Sequence, residues 1–190
     1  IGIREAAGEY VMLLNPDTRL APGLLAGMAG HLDAHKTVGI AGPKILERDG
    51  RTQGSARSFP SLRTAFFGRT SFLQSLFTKS GAARDEIPCL SHTGPAPLPV
   101  DWVSGACMLI RREALDQIGL LDEKYFMYWE DADLCFRAKG NGWEVHWIPA
   151  VELLHLTGSA SSSKPAAIAR TTIVFHKSVY YYFSKNIKPS

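Results

Sequence analysis

Two short acidic stretches carry the residue types from which a reaction could be built. In the first, Asn15, Pro16 and Asp17 follow directly on the apolar run at 9–14. A carboxylate on a rigid turn at the C-terminal end of a buried strand can ligate a hard divalent ion that also takes diphosphate oxygens. The same residues equally suit a turn that caps the next helix. In the second, Glu130, Asp131 and Asp133 lie within four positions, preceded by Tyr128 and Trp129. Neighbouring like charges raise one carboxyl pKa, and aromatic cover keeps water away, which is how a general base is made. For Asp133 a plainer role competes: compensation of the helix dipole while pairing with Arg137 at i, i+4.

Three further features bear on the same chemistry. His155 ends an apolar strand ahead of a Gly/Ser loop, a setting like that of Asp17. Trp102, Gly105 and Ala106 combine a ring that could stack on a sugar with small residues that let a ligand approach the backbone. After Glu152 no Asp or Glu occurs, while Lys164, Arg170, Lys177, Lys185 and Lys188 do, together with the aromatic run at 180–183. That stretch suits either an anionic membrane surface or a packed helix with a wet face. His31, His35, His92, His146 and His176 have nothing comparable around them and read as structural or surface residues.

The elements that must position these groups follow from hydrophobic period and punctuation. A continuous apolar run predicts a strand at 9–14, buried on both faces. A helix at 22–35 and a strand at 37–46 complete a parallel α/β unit. A basic stretch at 48–84 contains a helical candidate at 62–77. Beyond a proline-rich connector come a strand at 100–110, a helix at 112–118 closed by Gly119, and a helix at 130–139. Strands at 143–148 and 151–156, a small-residue loop at 158–163 and an amphipathic helix at 164–188 end the chain. In that helix Ile168, Phe175, Val179 and Tyr182 share one stripe, and Arg170 and Lys177 another.

Composition agrees. The chain has 190 residues, 45% hydrophobic and 21% charged, with 17 glycines and 11 prolines. That excludes collagen, coiled coil and disorder, and suits one mixed α/β domain. A formal charge of +3 gives no footprint for nucleic acid. Three widely spaced cysteines form no zinc or disulfide framework, so they read as reduced residues of a cytoplasmic protein. P-loop, GxGxxG, GxSxG and HExxH patterns do not occur in the sequence.

The order of motifs resembles family 2 glycosyltransferases. AGEYVMLLNPDT at 7–18 is similar to the family's DxD-containing segment, and VSGACMLIRR at 103–112 to its acceptor-side strand. GLLDE at 119–123 and FMYWEDADL at 126–134 resemble its ED-type motif, and HLTGS at 155–159 its closing His-x-x-Gly element. RSFPS at 57–61 and the long C-terminal helix fit the rhamnosyltransferase-like branch.

The resemblance implies an α/β, GT-A-like (Rossmann-related) mixed sheet flanked by helices. It makes 1–158 a partial GT-A domain, the metal and acceptor half, and 159–190 a loop with a C-terminal helix. It further implies an inverting transfer of a sugar, rhamnose in this branch, from a nucleotide-diphospho-sugar to a glycan or glycolipid hydroxyl in cell-surface polysaccharide synthesis. Asp131 would be the base and Glu130 would orient it or the acceptor. Asp17 and His155 would hold a divalent metal, Mg or Mn. Asn15, Trp102, Gly105, Ala106, Asp133 and Arg137 would line the substrate site. The expected location is cytoplasmic, with peripheral membrane contact through the C-terminal helix. Two departures stand out: Asn15 replaces the first acid of the DxD, and the family's nucleotide-binding portion would precede Ile1, so the resemblance implies a fragment expected to have weak or no activity alone. A non-catalytic glycan- or membrane-docking module and a metal-dependent phosphohydrolase remain the competing readings.

Overall fold

A computed structural model of the chain describes residues 2–59, 87–156 and 165–187, with the side chains of 165–168 outside that description. The helical candidate at 62–77 and the loop at 158–163 also fall outside the described residues. After a short helix α1 (Gly2–Glu5), the elements are β1 (Tyr10–Leu14), β2 (Thr18–Leu20), α2 (Leu24–Ala34), β3 (Val38–Leu46) and β4 (Ala56–Arg57). They continue with a 3-10 turn at Pro88–Leu90, β5 (Leu98–Val100), β6 (Trp102–Val103), β7 (Cys107–Arg111), α3 (Arg112–Ile118), α4 (Glu130–Gly140), β8 (Glu144–His155) and α5 (Pro165–Asn186).

The main sheet runs β1-β7-β3-β8-β2, with β5 also paired to β8. The sequence leads one to expect β1 and β3 side by side. They do run in the same direction, but β7 lies antiparallel between them. Burial explains the insertion. All five residues of β7 and the first six of β3 are buried, which demands neighbours on both faces and the centre of the sheet. In β1 only Val11 is fully buried, so the expectation of two-sided burial fails for that strand and it takes an end position. β3 and β8 form the one parallel pairing among the described strands.

Two expected boundaries also shift. The strand predicted at 100–110 breaks at Ser104, whose Oγ accepts the Ala106 N–H and whose carbonyl accepts that of Cys107, making a tight turn. Conversely, the two strands predicted at 143–148 and 151–156 are one. Their register against β3 slips from Pro43↔Ile148 to Lys44↔Glu152, a bulge centred on Pro149, which has no N–H to offer the ladder.

Helices cover both faces. α2 buries Leu24, Met28 and Leu32, at helical spacing, against Ala41, Ile45, Leu109 and Leu153. It comes so close that a Cβ on Gly27 would stand 2.6 Å from Val151 Cγ1. α4 packs Leu134, Cys135 and Ala138 on the opposite face, with Ile40, Met108, Ile110 and Trp147. Successive residues of β7 thus feed alternate cores, as the period of a strand requires. Cys89, Cys107 and Cys135 are buried free thiols, and burial pushes Cys107 up to about 12.

Three of the histidines taken as isolated meet below the sheet. His31 Nε2 lies 2.9 Å from His146 Nδ1, His35 stacks on His31, and His146 Nε2 reaches Glu144 Oε2 at 2.8 Å. Burial, then the charges of His35 and His146, lower the His31 pKa from 6.5 to about 4. The unfolded chain therefore takes up this proton at about pH 6.5 and the folded chain only near 4. Stability from His31 is complete above the unfolded value and is lost as the pH falls through that window. After discounting for solvent screening, the expected loss is on the order of 1 kcal/mol. Urea unfolding of the parent and of His31→Leu across this range checks it: the variant's stability should fall less steeply with acid.

Candidate active site

The C-terminal ends of β1, β3 and β8 point to one edge of the sheet, because β1 and β3 are both antiparallel to β7 and β8 is parallel to β3. Asp17 leaves β1 through a turn fixed at three points. The Asn15 N–H donates to Ala106 O at 3.0 Å, Thr18 Oγ1 donates to Asn15 O at 2.6 Å, and the Leu156 N–H donates to Asp17 O at 2.8 Å. The β2–β8 ladder then sets Thr18 opposite His155. Asp17 Oδ1 and His155 Nε2 consequently stand 3.2 Å apart, and both side chains are largely buried. On the other side of the ring His155 Nδ1 lies 3.2 Å from the Gln53 side-chain amide, which holds the ring in place. Nε2 faces the Asp17 carboxylate, a nitrogen and an oxygen donor that could also turn together onto a cation.

The donor set suits such a cation. Two ligands at right angles on an ion with bonds of about 2.1 Å stand about 3 Å apart. One carboxylate oxygen and one imidazole nitrogen accommodate Mn²⁺ or Mg²⁺ when phosphate oxygens and water complete the shell. Among the described residues no group of three or more His, Cys, Asp or Glu could hold a metal alone.

The second acid is tied to the neighbouring Ser104–Ala106 turn. Asp131 Oδ2 accepts the Gly105 N–H at 3.0 Å and its Oδ1 accepts the Ala132 N–H at 2.8 Å. Gly105 binds the Asp131 carboxylate and its neighbour Ala106 accepts the Asn15 N–H, so the Ser104–Ala106 turn is hydrogen-bonded both to Asp131 and to the turn that carries Asp17. Burial raises the Asp131 pKa above the carboxylate range, although the two N–H groups and the Arg57 charge pull it back. Glu130 is raised as well, by burial and then by Asp131, and its Oε2 is buried without a hydrogen-bond partner. A buried acceptor left in that state costs about 1–3 kcal/mol and marks a place where a ligand hydroxyl would be welcome.

The backbone entering α4 is strained. Tyr128 and Trp129 both adopt left-handed conformations, with φ of 68° and 72°. Aromatic packing from α5 holds them: Trp129 lies 5.0 Å from Tyr182 and 6.0 Å from Phe175, and Tyr128 lies 5.8 Å from Phe175. Trp102 is half-buried; its Nε1–H donates to Ser58 O and its ring lies 5.6 Å from the Arg57 guanidinium. Asn15 is exposed on the turn beside Asp17. Arg57 and Gln53 belong to this neighbourhood and are absent from the expected site. Arg57 stood within the quoted RSFPS, whereas Gln53 gave no signal of any kind.

Asp133 and Arg137 play another part. Asp133 has no exposed surface and accepts from Arg137 Nε at 2.9 Å, Lys185 Nζ at 2.8 Å and Asn186 Nδ2 at 3.0 Å. Burial works against its charge, but these donors prevail and hold its pKa below the usual range. Lys185 bridges onward to Asp122 at 2.8 Å. The remaining Arg137 donors go to the carbonyls of Ile118, Gly119 and Leu120. Both side chains take part in fastening α5 to α4 and α4 to the end of α3.

Comparison with known proteins gives this geometry a context. A model of the family described as glycosyltransferase like family 2 matches residues 1–172. The N-acetylglucosaminyl-diphospho-decaprenol L-rhamnosyltransferase of Mycobacterium tuberculosis is 33% identical over 179 residues, covering 93% of this chain and 55% of that protein. Rhamnosyltransferase WbbL of Escherichia coli K12 is 27% identical over 154 residues, covering 80% and 54%. The chain thus spans about half the length of the curated relatives it matches. A crystal structure of GalNAc-T7 with UDP, GalNAc and Mn²⁺ superposes with a TM-score of 0.57 at 17% identity, over 97% of this chain and 36% of the other. That likeness shows the GT-A type of fold.

The buried cluster around Asp133 sets a measurable expectation. Lys185→Met removes one of its three cationic or amide donors and leaves the carboxylate under-compensated, at a cost of about 3 kcal/mol. Urea denaturation should show a lowered midpoint with an unchanged slope.

Proposed function

The chain belongs to glycosyltransferase family 2, and on that premise we propose that it transfers a sugar from a nucleotide-diphospho-sugar to an acceptor hydroxyl in glycan synthesis, with inversion. The finer reading is rhamnose as the sugar and a lipid-diphosphate-linked glycan as the acceptor. The 33% identical relative, named for that transfer, supports it. The observation that supports the proposal is that one backbone turn, Ser104–Ala106, is hydrogen-bonded both to Asp131 and to the turn bearing Asp17, which pairs with His155.

In this mechanism Asp131 accepts the proton of the attacking hydroxyl. The acceptor oxygen forms its bond to the anomeric carbon as the bond from that carbon to the diphosphate oxygen breaks, and the nucleoside diphosphate leaves. The Gly105 and Ala132 N–H groups aim the carboxylate, and the free oxygen of Glu130 accepts from the acceptor sugar. Burial, by keeping the Asp131 pKa high, makes it a better proton acceptor than a solvated carboxylate. Asp17 and His155 would hold a divalent ion, which when bound supplies positive charge to the departing diphosphate. Trp102, beside Arg57, offers a ring face to the acceptor, and Gly105 and Ala106 keep the turn low enough for it to approach.

Two measurements test this. Asp131→Asn should reduce transfer from dTDP-rhamnose to a polyprenyl-diphosphate-linked N-acetylglucosamine by roughly 10²–10⁴-fold. Normal transfer by that variant, or phosphate release without any acceptor, overturns the reading. Separately, Mn²⁺ affinity read by paramagnetic resonance should fall at least about tenfold in Asp17→Asn and in His155→Ala. It should stay unchanged in Asp131→Asn.

A further inference from the structure

Beside the site the protein leaves large apolar groups in water. Phe126 is 74% and Met127 43% exposed on the loop leading into α4, and Ile173 is 56% and Tyr180 78% exposed on α5. The two elements are one surface, because Ser178 Oγ of α5 donates to Met127 O at 2.8 Å. Along α5, Arg170, Ile173, Lys177 and Tyr180 recur at helical spacing as an outward stripe, while Ser178, Val179 and Tyr182 are buried behind it. His176 and Thr172 join Ile173, Lys177 and Tyr180 around a shallow open depression.

The charge of this surface is one-sided. α5 contains no acid, and Arg170 and Lys177 are exposed. Of the acids in the adjoining loop, Asp122 is paired with Lys185 and Glu123 lies in solvent. A face that mixes bulky apolar groups with free cations fits a surface whose rim is anionic and whose interior is apolar. That is the boundary of an anionic bilayer, where such a helix lies flat with its apolar groups at headgroup depth. A second copy fits less well, since in a two-fold contact Arg170 and Lys177 would face their own equivalents. No helix among the described residues is long and apolar enough to cross a membrane.

We propose that the outer stripe of α5 and the Phe126–Met127 loop form a docking face for anionic phospholipid headgroups, which holds the Asp131 end of the site at the bilayer surface. Only the last clause rests on the proposed lipid-linked acceptor; the docking stands on its own.

Flotation of the protein with vesicles of phosphatidylcholine, with and without phosphatidylglycerol, tests it. Binding should require phosphatidylglycerol and weaken as salt shortens the screening length from about 8 Å towards 3 Å. The triple variant Phe126→Ser, Ile173→Ser, Tyr180→Ser should bind at least roughly tenfold less, with an unchanged melting temperature because all three side chains are exposed. Arg170→Glu with Lys177→Glu should remove the salt-sensitive part. Absence of vesicle binding, equal binding to neutral vesicles, or a dimer in sedimentation that the same serine substitutions dissolve would each overturn the proposal. With an active parent protein, the triple variant should keep transfer to a short-tailed, water-soluble acceptor and lose it to a vesicle-embedded one; equal loss on both refutes the orienting role. Should the parent transfer to neither acceptor, the catalytic reading fails while flotation still decides the docking.

Discussion

The hydrogen bond from the Gly105 N–H to the Asp131 carboxylate ties together the parts of this molecule that have chemistry in them. It fixes the first turn of α4 to the turn that breaks β6 from β7, and that turn also receives the Asn15 N–H. Without it, the acid would sit on a helix end free to shift relative to the sheet edge where Asp17 and His155 are paired. The bond does electrostatic work as well. Burial raises the Asp131 pKa, and the Gly105 and Ala132 N–H groups act in the opposite direction by favouring the ionised form. The Gly105 contact therefore bears on both the position of the acid and its ionisation.

The neighbouring acids show how sharply environment divides a single helical turn. Asp131 and Asp133 are two residues apart, so their side chains leave α4 on different faces. Asp131 turns to the Ser104–Ala106 turn and receives uncharged backbone donors, which leave its pKa raised. Asp133 turns to α5 and receives Arg137 and Lys185, which leave its pKa lowered. Groups of one chemical type whose environments push them apart are how a fold separates a proton acceptor from a structural anion. The left-handed Tyr128 and Trp129 belong to the same arrangement. A conformation costing about 1–3 kcal/mol per residue persists only where the surroundings over-determine it, and the aromatic ring cluster of α5 does so here.

Much of this was legible in the sequence, for reasons that can be named. Continuous apolar runs and glycine or proline stops gave β1, β3, α3 and α4 to within a residue or two, since those signals are local. The pairing of Asp133 with Arg137 was legible from helical spacing alone. What escaped was non-local. β2 and β4 are three and two residues long and owe their extended form to β8 and β6, so no period could announce them. The insertion of β7 between β1 and β3 depends on competition for the sheet centre, which no single segment records. The Gln53–His155 contact and the meeting of His31 with His146 span 102 and 115 residues of chain. The contacts of Asp133 with Lys185 and Asn186 were likewise out of reach, because α5 lies far downstream.

That late arrival has a bearing on how the protein comes into being. Asp133 emerges from the ribosome with Arg137 close behind, but Lys185 follows 52 residues later, a delay of roughly 3–10 s at translation speeds of about 5–20 residues per second. Throughout that interval the nascent chain carries a carboxylate whose native niche is only partly built, and the strained entry at Tyr128 and Trp129 has no aromatic clamp from α5. The Asp133 anchor therefore waits on α5, and a translation product interrupted between the two helices would present the sheet strands with that anchor unmade.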